Sequence, residues 1–485
     1  MARFLPAQEF QSASSPIQLL PLRFERTGTG RYLVSNIVGE FFSLSGDEFE
    51  RLVELQLAPG DELYEKAYAS HVITRAGQTA QLQLLATRLR SRMAFLREPS
   101  ALHLFVVTLR CEHSCPYCQV SRQSSDRSRF DMSEESAQRA LAIALQSPAP
   151  SIKIEFQGGE PLLNFPLIAK IVEAAKIEGP RAGKELQFVI ASNLALLNDD
   201  ILAFCKANSI LLSTSLDGPA DLHNKNRPRP GGNSYELAVK GIKRAQQVLG
   251  KDRVGALMTT TERSLDRAEE IIDEYLTLGL DGIFLRPLSP YGFAVKTKQV
   301  QKYDAKRWLD FYRHGLRYIL DLNRSGTPFV EFYTATVLAR MLTDRPTGYV
   351  DLRSPAGIGL GALVYNYDGR VFASDEGRML AEMDDDTFVL GNVADATYRS
   401  LVTSDKLIEL VGASLSQCAP ECHGCVYESH CGADPVYHHA TQHDPVGIKP
   451  LSGFCARQKG VMETVIDLLH SSPEDAAILR RWGTA

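Results

Sequence analysis

The sequence predicts an α/β protein built on a partial (β/α)6 barrel, with an α+β module before the barrel and a cysteine-rich region after it. Three observations lead to this fold class. Between residues 100 and 325, short segments rich in Val, Ile, Leu and Phe alternate with helical patterns, as parallel strands and their connecting helices do. Three cysteines follow the first of these segments, and five more lie between Cys418 and Cys455. The length of 485 residues is enough for two or three domains.

The predicted elements divide the chain into three regions, residues 1–98, 99–325 and 326–485. In the first region, strand-like segments begin at Arg31 and Gly39, and either Ser45 or Asp47 caps the helix that follows. A long amphipathic helix is predicted over residues 79–96. This pattern predicts an α+β module, and its sequence contains no group of residues typical of a catalytic site.

Six short apolar strands are predicted in the middle region, at 102–109, 152–157, 186–192, 210–216, 253–259 and 282–287. Helical patterns lie between them, at 134–145, 167–177, 235–248 and 265–278. Parallel strands joined by helices form open sheets or barrels, and such folds carry their ligand sites at the carboxyl ends of the strands. We therefore expect the functional site where these strands end.

The third region contains a predicted β-hairpin and a C-terminal helix. Asp368-Gly369 separates two strand-like segments and favours a tight type I′ turn. A helix is predicted over residues 458–469, after the cysteine-rich segment.

Composition and charge exclude several classes of protein. With 44% hydrophobic and 23% charged residues, the chain has the composition of a soluble globular protein. Its net charge of −5 gives no basis for a nucleic-acid partner, and no apolar run is long enough to span a membrane. The opening segment Met1–Pro6 has no signal-peptide core, so we expect a cytoplasmic location. In that reducing compartment the nine cysteines are ligands, catalytic groups or core residues rather than disulfides.

The first cysteine group is Cys111, Cys115 and Cys118, spaced Cys-x3-Cys-x2-Cys directly after the first barrel strand. A closed structural metal site usually has four protein ligands, whereas a four-iron cluster held by three thiolates keeps one iron open. Zinc stays as the alternative, because it accepts three protein ligands with a water, and His113 could supplement the thiolates.

The second cysteine group is Cys422-x2-Cys425-x5-Cys431, with Cys455 downstream. These four thiolates could hold either an iron–sulfur cluster or a zinc ion. Cys418 is left open between an alternative ligand, a reactive thiol and a packed residue. The isolated Cys205 is predicted to be a small buried apolar residue.

The strand ends after the first cysteine group carry further motifs: Gly158-Gly159-Glu160-Pro161, Ser192-Asn193, and the segment from Ser213 to Arg227. Together with Cys-x3-Cys-x2-Cys, this order resembles the radical S-adenosylmethionine (SAM) superfamily and its partial TIM-like barrel. The resemblance implies that the three cysteines bind a [4Fe–4S] cluster whose open iron chelates the methionine part of SAM. Reductive cleavage of SAM then gives a 5′-deoxyadenosyl radical that abstracts hydrogen from the substrate.

The resemblance also implies which residues contact SAM. Glu160 and its two glycines are expected to bind the methionine amino group, since glycine allows close backbone approach and a carboxylate pairs with an ammonium. The remaining expected SAM contacts are Ser192, Asn193, Ser215, Asp217 and Arg227. Arg227 is left open between a SAM contact and a solvated loop charge.

The C-terminal cysteines resemble the SPASM or twitch-like extension of radical SAM peptide maturases, which in its full form holds two auxiliary clusters with seven cysteines. Here Ser374 and Pro435 stand where cysteines are expected, and Gly357 to Gly361 contain none. The missing residues all belong to one cluster. The resemblance therefore implies one auxiliary [4Fe–4S] cluster, bound by Cys422, Cys425, Cys431 and Cys455.

The run Cys-Glu-His-Ser-Cys-Pro-Tyr-Cys-Gln-Val-Ser and the later Cys-Gly-Ala-Asp-Pro-Val-Tyr-His resemble the B-type radical SAM maturases of the His-Xaa-Ser system. This implies a ribosomally made precursor peptide as substrate, a second radical SAM maturase as partner and a flavodoxin- or ferredoxin-type electron donor. The first region loosely resembles winged-helix modules that recognise leader peptides. Two other functions stay open: maturation of an anaerobic sulfatase by oxidation of a Cys or Ser, and non-catalytic electron transfer.

Overall fold

The computed structural model describes residues 16–97, 100–343 and 352–484. The segment Met1–Pro6 lies outside the described residues, as do residues 98 and 99 at the predicted boundary between the first two regions.

The described part of the N-terminal module contains two small antiparallel sheets and three helices. Its elements are β1 (Ile17–Leu19), β2 (Leu22–Arg26), β3 (Tyr32–Asn36), β4 (Phe41–Leu44), α1 (Gly46–Val53), α2 (Glu62–Ala69), β5 (Ile73–Arg75) and α3 (Ala80–Arg92). Strands β2, β3 and β4 form one sheet, and β1 pairs with β5. Of the two predicted caps of α1, Ser45 is the one used: its hydroxyl accepts from the amide of Glu48, whose carboxylate accepts from the amide of Ser45.

The middle region, described from residue 100 onward, carries six strands and nine helices. The strands are β6 (Leu102–Thr108), β7 (Ser151–Gly158), β8 (Glu185–Ala191), β9 (Leu211–Ser215), β10 (Val254–Leu257) and β11 (Gly282–Ile283). The helices are α4 (Arg127–Phe130), α5 (Glu134–Leu145), α6 (Phe165–Arg181), α7 (Asp199–Ala207), α8 (Ala220–Asn226), α9 (Ser234–Leu249), α10 (Ala268–Thr277), α11 (Phe293–Lys296) and α12 (Ala305–Arg324). All four predicted helices are confirmed, with ends that differ by up to four residues from those predicted.

The C-terminal region adds four strands and eight helices among the described residues. The strands are β12 (Val330–Glu331), β13 (Ala362–Tyr365), β14 (Arg370–Phe372) and β15 (Val389–Asn392). The helices are α13 (Phe332–Leu342), α14 (Asp375–Ala381), α15 (Tyr398–Val402), α16 (Asp405–Ala413), α17 (Pro420–His423), α18 (Pro435–Gln442), α19 (Gly453–Ser471) and α20 (Pro473–Thr484).

One eight-stranded sheet crosses the predicted boundary near residue 325. Its order is β10-β9-β8-β7-β6-β13-β14-β15, and the strands from β10 to β13 are parallel to their neighbours. Strand β13 pairs with β6, so that Leu102 lies opposite Ala362. The predicted α/β class with a partial parallel barrel is thus confirmed, and the C-terminal hairpin extends the same sheet.

The sixth predicted strand differs from expectation. Strand β11 has only two residues and pairs with β12 instead of joining the main sheet. The amide of Leu285 donates to the Glu331 carboxylate (3.1 Å), so this backbone donor is satisfied by a side chain rather than by a neighbouring strand. Pro287 offers no amide donor at all. Both features end the strand early.

Two local predictions in the C-terminal region need correction. The hairpin turn is not type I′, since Gly369 has a positive φ of 85° and Asp368 does not. The amide of Gly369 donates to the carbonyl of Asn366 (2.9 Å), as in a three-residue loop closed by a left-handed glycine. Helix α19 begins at Gly453, ahead of its predicted start, because the Ser452 hydroxyl caps it by accepting from the amide of Cys455 (3.3 Å).

Candidate active site

The carboxyl ends of the barrel strands open into one cavity of about 540 Å³. Its walls come from the loop after β6, the ends of β7 to β10 and, on the far side, the segment at the start of α14. Of the residues predicted to form the site, the cavity is lined by Cys111, Cys115, Cys118, Gly158, Gly159, Ser192, Asn193, Ser215 and Arg227. The expected position of the site at the strand ends therefore agrees with the structure.

Cys111, Cys115 and Cys118, named here the three-thiol set, lie on the loop that follows β6. Burial raises the pKa of Cys115 to about 12 and raises that of Cys111 as well. Neighbouring thiols raise both values further, because each thiolate disfavours the next. Thiols held this close and this deep become thiolates when a cationic metal centre stabilises them.

His113 is not free to complete a zinc site. One of its ring nitrogens, Nε2, is 2.8 Å from the hydroxyl of Ser234. The other, Nδ1, lies 3.1 Å from the Glu112 carboxylate and 3.0 Å from the Asn193 amide nitrogen. With both nitrogens engaged, the histidine orients the loop, and the three thiols are the ligands that remain.

Gly158 and Gly159 are required by backbone packing. A Cβ atom on Gly158 would lie 2.0 Å from the carbonyl oxygen of Thr108, and one on Gly159 would lie 2.4 Å from that of Arg110. The amide of Gly159 donates to the Thr108 carbonyl (2.9 Å). The glycine pair thus binds the end of β7 to the base of the three-thiol loop and forms part of the cavity wall.

Glu160 lies behind the cavity wall, with a side chain that is 0% exposed. Its carboxylate accepts from the Leu162 amide (3.0 Å), the Ser192 hydroxyl (2.7 Å) and the Asn193 amide (2.8 Å). Burial and the neighbouring Glu112 carboxylate raise the pKa of Glu160 to about 8. In the structure this residue fixes the Ser192-Asn193 turn that lines the cavity.

Arg227 is not the solvated loop charge that the sequence left open. Its side chain is 13% exposed, and its Nε lies 3.1 Å from the carboxylate of Asp217, which is itself fully buried. Asp217 also accepts from the hydroxyl of Tyr117 (2.5 Å), a residue within the cysteine motif. Burial lowers the pKa of Arg227, but the charges of Asp217, Tyr117 and Cys115 together outweigh burial, so that the net pKa is raised. The pair ties the end of β9 to the three-thiol loop.

Cys422, Cys425, Cys431 and Cys455, named here the four-thiol set, converge between α17 and the first turn of α19. Burial raises the pKa of Cys431 well above its usual range, and the other three thiols raise it further. Among the described residues, no three of these sulfurs lie within 4.8 Å of one another. Cys418 is exposed.

A group of packed apolar side chains lies beside the positions at which the ligands of a second auxiliary iron–sulfur cluster are missing. Ala373 precedes Ser374, Val436 follows Pro435, and Ala356 and Ile358 flank Gly357; these four residues pack in one core cluster with Phe388 and Met379. Ser374 itself caps α14 by accepting from the amide of Gly377 (3.0 Å). Apolar side chains therefore pack beside these positions, and Gly357, Ile358, Ala373 and Ser374 also line the cavity.

Comparison with known proteins identifies the core of the chain. The family described as the radical SAM superfamily matches residues 105–275. Residues 105–275 are therefore similar to a radical SAM domain. An uncharacterized protein of Methanocaldococcus jannaschii is 31% identical over 192 residues, which cover 39% of this chain and 63% of that protein, less than two thirds of its length. A cysteine-type anaerobic sulfatase-maturating enzyme of Clostridium perfringens is 23% identical over 337 residues, or 66% of this chain and 84% of that enzyme.

Solved structures share the fold. Native anSMEcpe with bound AdoMet superposes with a TM-score of 0.61 at 18% identity, over 78% of this chain and 99% of that one. Streptococcus suis SuiB bound to its precursor peptide SuiA gives a TM-score of 0.53 at 14% identity, over 89% of this chain and 98% of that one. None of the described helices is both long and apolar enough to cross a membrane.

A radical SAM domain implies a [4Fe–4S] cluster and SAM as cofactors, and the residues present fit both. Three thiols that line one cavity suit a cluster with one open iron. The strand-end groups beside them offer hydroxyl, amide and guanidinium donors for the carboxylate and ribose of SAM. The cysteine-rich C-terminal region is consistent with an auxiliary cluster at the four-thiol set.

Part of the cavity wall was not predicted from the sequence. Glu155 and Gln157 project into the cavity from β7, and Asp375 and Glu376 line it from the start of α14. Burial raises the pKa of Glu155, and the Asp375 carboxylate raises it further. The sequence does carry a signal for Glu155, because apolar and polar residues alternate along β7. Ile154 and Phe156 are buried, and Glu155 between them faces the other way.

Proposed function

We propose that this protein reductively cleaves SAM and uses the resulting radical to modify a ribosomally made peptide. The three-thiol set would hold the [4Fe–4S] cluster, which when bound supplies the electron that breaks a carbon–sulfur bond of SAM. Arg227 and Ser215 would orient the cofactor at the strand ends. Tyr117, Asp217 and Arg227 hold the thiol loop against β9, so that cofactor and thiols keep one geometry.

The observation that carries this proposal is the shared cavity. The three cysteine thiols and the strand-end donors line the same cavity as the carboxylates of Glu155, Asp375 and Glu376. A radical enzyme needs a shared cavity, because cofactor and substrate must meet in a space that excludes bulk water. An electron carrier without catalysis would need no such cavity.

The N-terminal module supports a peptide substrate. It packs on the segment of the four-thiol set: the Ser35 hydroxyl donates to the carbonyl of Val426 (2.8 Å), and Arg23 pairs with the buried Glu428 at 3.0 Å. The SuiB structure of similar fold contains a bound precursor peptide. We infer that this module recognises the leader of the substrate and holds it near the cavity.

The finer assignment follows the resemblance of the cysteine motifs. We propose a His-Xaa-Ser-type precursor as substrate, a second radical SAM maturase as partner and a flavodoxin- or ferredoxin-type electron donor. A cytoplasmic location fits these partners. The single four-thiol set would act as an electron relay or shape the substrate pocket.

Two measurements test the proposal on the full chain. Anaerobic reduction with SAM should release 5′-deoxyadenosine, and co-expression with a His-Xaa-Ser precursor should change the peptide mass. A precursor without its leader should stay unmodified while SAM cleavage continues. A protein that binds iron but forms no 5′-deoxyadenosine would be an electron carrier, and the proposal would fail.

The alternative substrate is a sulfatase, since the Clostridium perfringens relative is a sulfatase-maturating enzyme. The apolar cluster around Ala373 and Val436 argues against it, because the sulfatase-maturase pattern was expected to have a second auxiliary cluster in this place. A sulfatase-derived peptide bearing the target Cys or Ser separates the two. Oxidation of that peptide, with no change in the His-Xaa-Ser precursor, would establish the alternative.

A further inference from the structure

A strongly basic surface lies on the segment that leads from α11 into the start of α12, outside the cavity described above. The twelve residues 296–307, named here the basic segment, contain five basic residues and one acidic residue, in a chain whose net charge is −5. All five basic residues are exposed: Lys296, Lys298, Lys302, Lys306 and Arg307. The basic segment is therefore a local field of positive charge on a chain that is negative as a whole.

Neighbouring carboxylates do not balance this charge. None of the five basic residues forms an ion pair with a carboxylate among the residues that the structure describes. Asp304, the acidic residue of the basic segment, caps α12 by accepting from the amide of Arg307 (2.9 Å). Exposed charges contribute little to the stability of the fold, whereas a surface of one sign attracts a partner of the opposite sign.

One end of the basic segment is attached to the three-thiol loop. The amide of Phe293, in the helix that leads into the segment, donates to the carbonyl of Cys118 (2.8 Å). The hydroxyl of Thr297 donates to the carbonyl of Pro116 (2.7 Å). Both acceptors lie between Cys115 and Cys118, so this end of the basic segment is fixed beside the three-thiol set.

The other end of the basic segment faces the four-thiol set. A groove of about 540 Å³ lies between the start of α12 and the first turn of α19. Lys302 and Arg307 line the groove from the basic segment, and Gly453 and Arg457 line it from α19. These two residues of α19 stand two positions before and two positions after Cys455. The basic surface thus borders the loops of both thiol sets, and Arg457 adds a sixth basic residue to it.

We propose that the basic segment and Arg457 form the docking surface for an acidic one-electron donor, a protein of the flavodoxin or ferredoxin type. Electron transfer slows steeply with distance, so a donor has to bind beside a loop that carries a cluster. One electron then passes from the reduced cofactor of the donor to the cluster at the three-thiol set, while no bond forms or breaks and no proton moves. This proposal rests on the proposed function, because it assumes a cluster at that set.

The test compares electron sources for SAM cleavage by the anaerobically reconstituted full chain. Dithionite reduces the clusters without protein docking, whereas flavodoxin hydroquinone and reduced ferredoxin have to bind. The variant Lys302→Glu/Lys306→Glu should therefore keep the dithionite-driven rate of 5′-deoxyadenosine formation. At low ionic strength its KM for either protein donor should rise about tenfold or more, because two reversed charges remove the electrostatic attraction. Added salt should reduce this difference.

The matched control is Lys240→Glu/Lys243→Glu, which makes the same change in net charge at two exposed lysines of α9. Helix α9 packs against α7 and α8, whereas α12 packs against α10 and α19. The control should keep wild-type kinetics with dithionite and with both protein donors.

Three results would overturn the proposal. The first is an unchanged KM for the protein donors in Lys302→Glu/Lys306→Glu, or an equal rise in the control. The second is a wild-type protein that accepts electrons from dithionite but from neither protein donor. The third is a loss of peptide modification by this variant under dithionite, because the surface would then bind the precursor. A wild-type protein that forms no 5′-deoxyadenosine with dithionite would instead overturn the proposed function.

Discussion

The two thiol sets differ most in the charges placed beside them. The three-thiol set borders the carboxylates of Glu112 and Glu160 and opens into a cavity. The four-thiol set borders the ammonium groups of Lys449 and Lys459, and Lys449 is 4% exposed. Burial lowers the pKa of Lys449, and the thiolates around it act in the opposite direction.

This contrast assigns different tasks to the two sets. Carboxylates beside an open cluster attract a cationic ligand, and SAM carries two positive groups. Lysines beside a closed four-thiolate cluster offset its negative charge and stabilise its reduced form. The charges beside the two sets thus fit the proposed tasks, in which the first set would bind a ligand and the second would hold an electron.

The strongest test of this comparison removes the first set. Replacing Cys111, Cys115 and Cys118 with Ala should eliminate about half of the bound iron and all SAM cleavage, because the proposed function places one four-iron cluster at each set. Iron analysis and chromatography of 5′-deoxyadenosine measure the two effects. Cys418→Ala is the matched control and should retain both, since this thiol is exposed. Continued 5′-deoxyadenosine formation by the triple variant would contradict the assignment.

The iron content of the wild-type protein tests the second set. Anaerobically reconstituted protein should bind roughly eight irons per chain, four at each set. The physical reason is that no cysteine stands at Ser374 or Pro435, and their neighbours Ala373 and Val436 pack in an apolar cluster. Roughly twelve irons would require a further cluster and would contradict this count, and bound zinc at the four-thiol set would contradict the cluster itself.

The contact between the N-terminal module and the segment of the four-thiol set should stabilise the folded protein. Arg23 pairs with Glu428 at 3.0 Å, and their side chains are 10% and 1% exposed. Arg23→Ala leaves a buried carboxylate without its partner, which should cost about 3–5 kcal/mol. The midpoint of anaerobic urea unfolding reports the loss.

Arg31→Ala is the control for this measurement, because its half-exposed side chain lies 4.0 Å from Glu48 and should contribute less than about 1 kcal/mol. Equal losses in the two variants would show that the buried pair does not hold the module in place.

The smallest expected effect is a shift in the reduction potential of the auxiliary cluster when Lys449 or Lys459 is replaced. Lys449→Met should lower the reduction potential of the auxiliary cluster by roughly 50–100 mV, because a buried positive charge stabilises the reduced state. Lys459→Met should have less effect, since this side chain is 37% exposed and already paired with Glu25 at 2.7 Å. A redox titration followed by electron paramagnetic resonance measures both shifts. A rise in potential in Lys449→Met would reverse the proposed role of these charges.

Local patterns were sufficient to predict much of the fold. Helix α5 has the bounds that its periodicity predicts, because Ser133 caps it and apolar residues recur on one face. Five of the six predicted strands join the main sheet. Strand β11 does not, since the carboxylate that takes its backbone donor comes from Glu331, distant in sequence. A long-range contact of this kind leaves no signal in a local window.

The same limit applies to the site. The spacing of Cys111, Cys115 and Cys118 is local, so the sequence could place these residues together. The hydrogen bonds of Glu160 to Ser192 and Asn193 could not be predicted, because they depend on how β7 and β8 pack.

The pairing of β6 with β13 has a consequence for synthesis. Strand β6 is complete early in translation, but the partner on its open side comes from the region after residue 361. Until that region leaves the ribosome, β6 presents a row of unpaired backbone donors and acceptors, which can pair with other chains. Contacts between such distant segments also form slowly. Correct folding of the barrel therefore depends on prompt delivery of the C-terminal hairpin, and C-terminally truncated chains should aggregate through this edge.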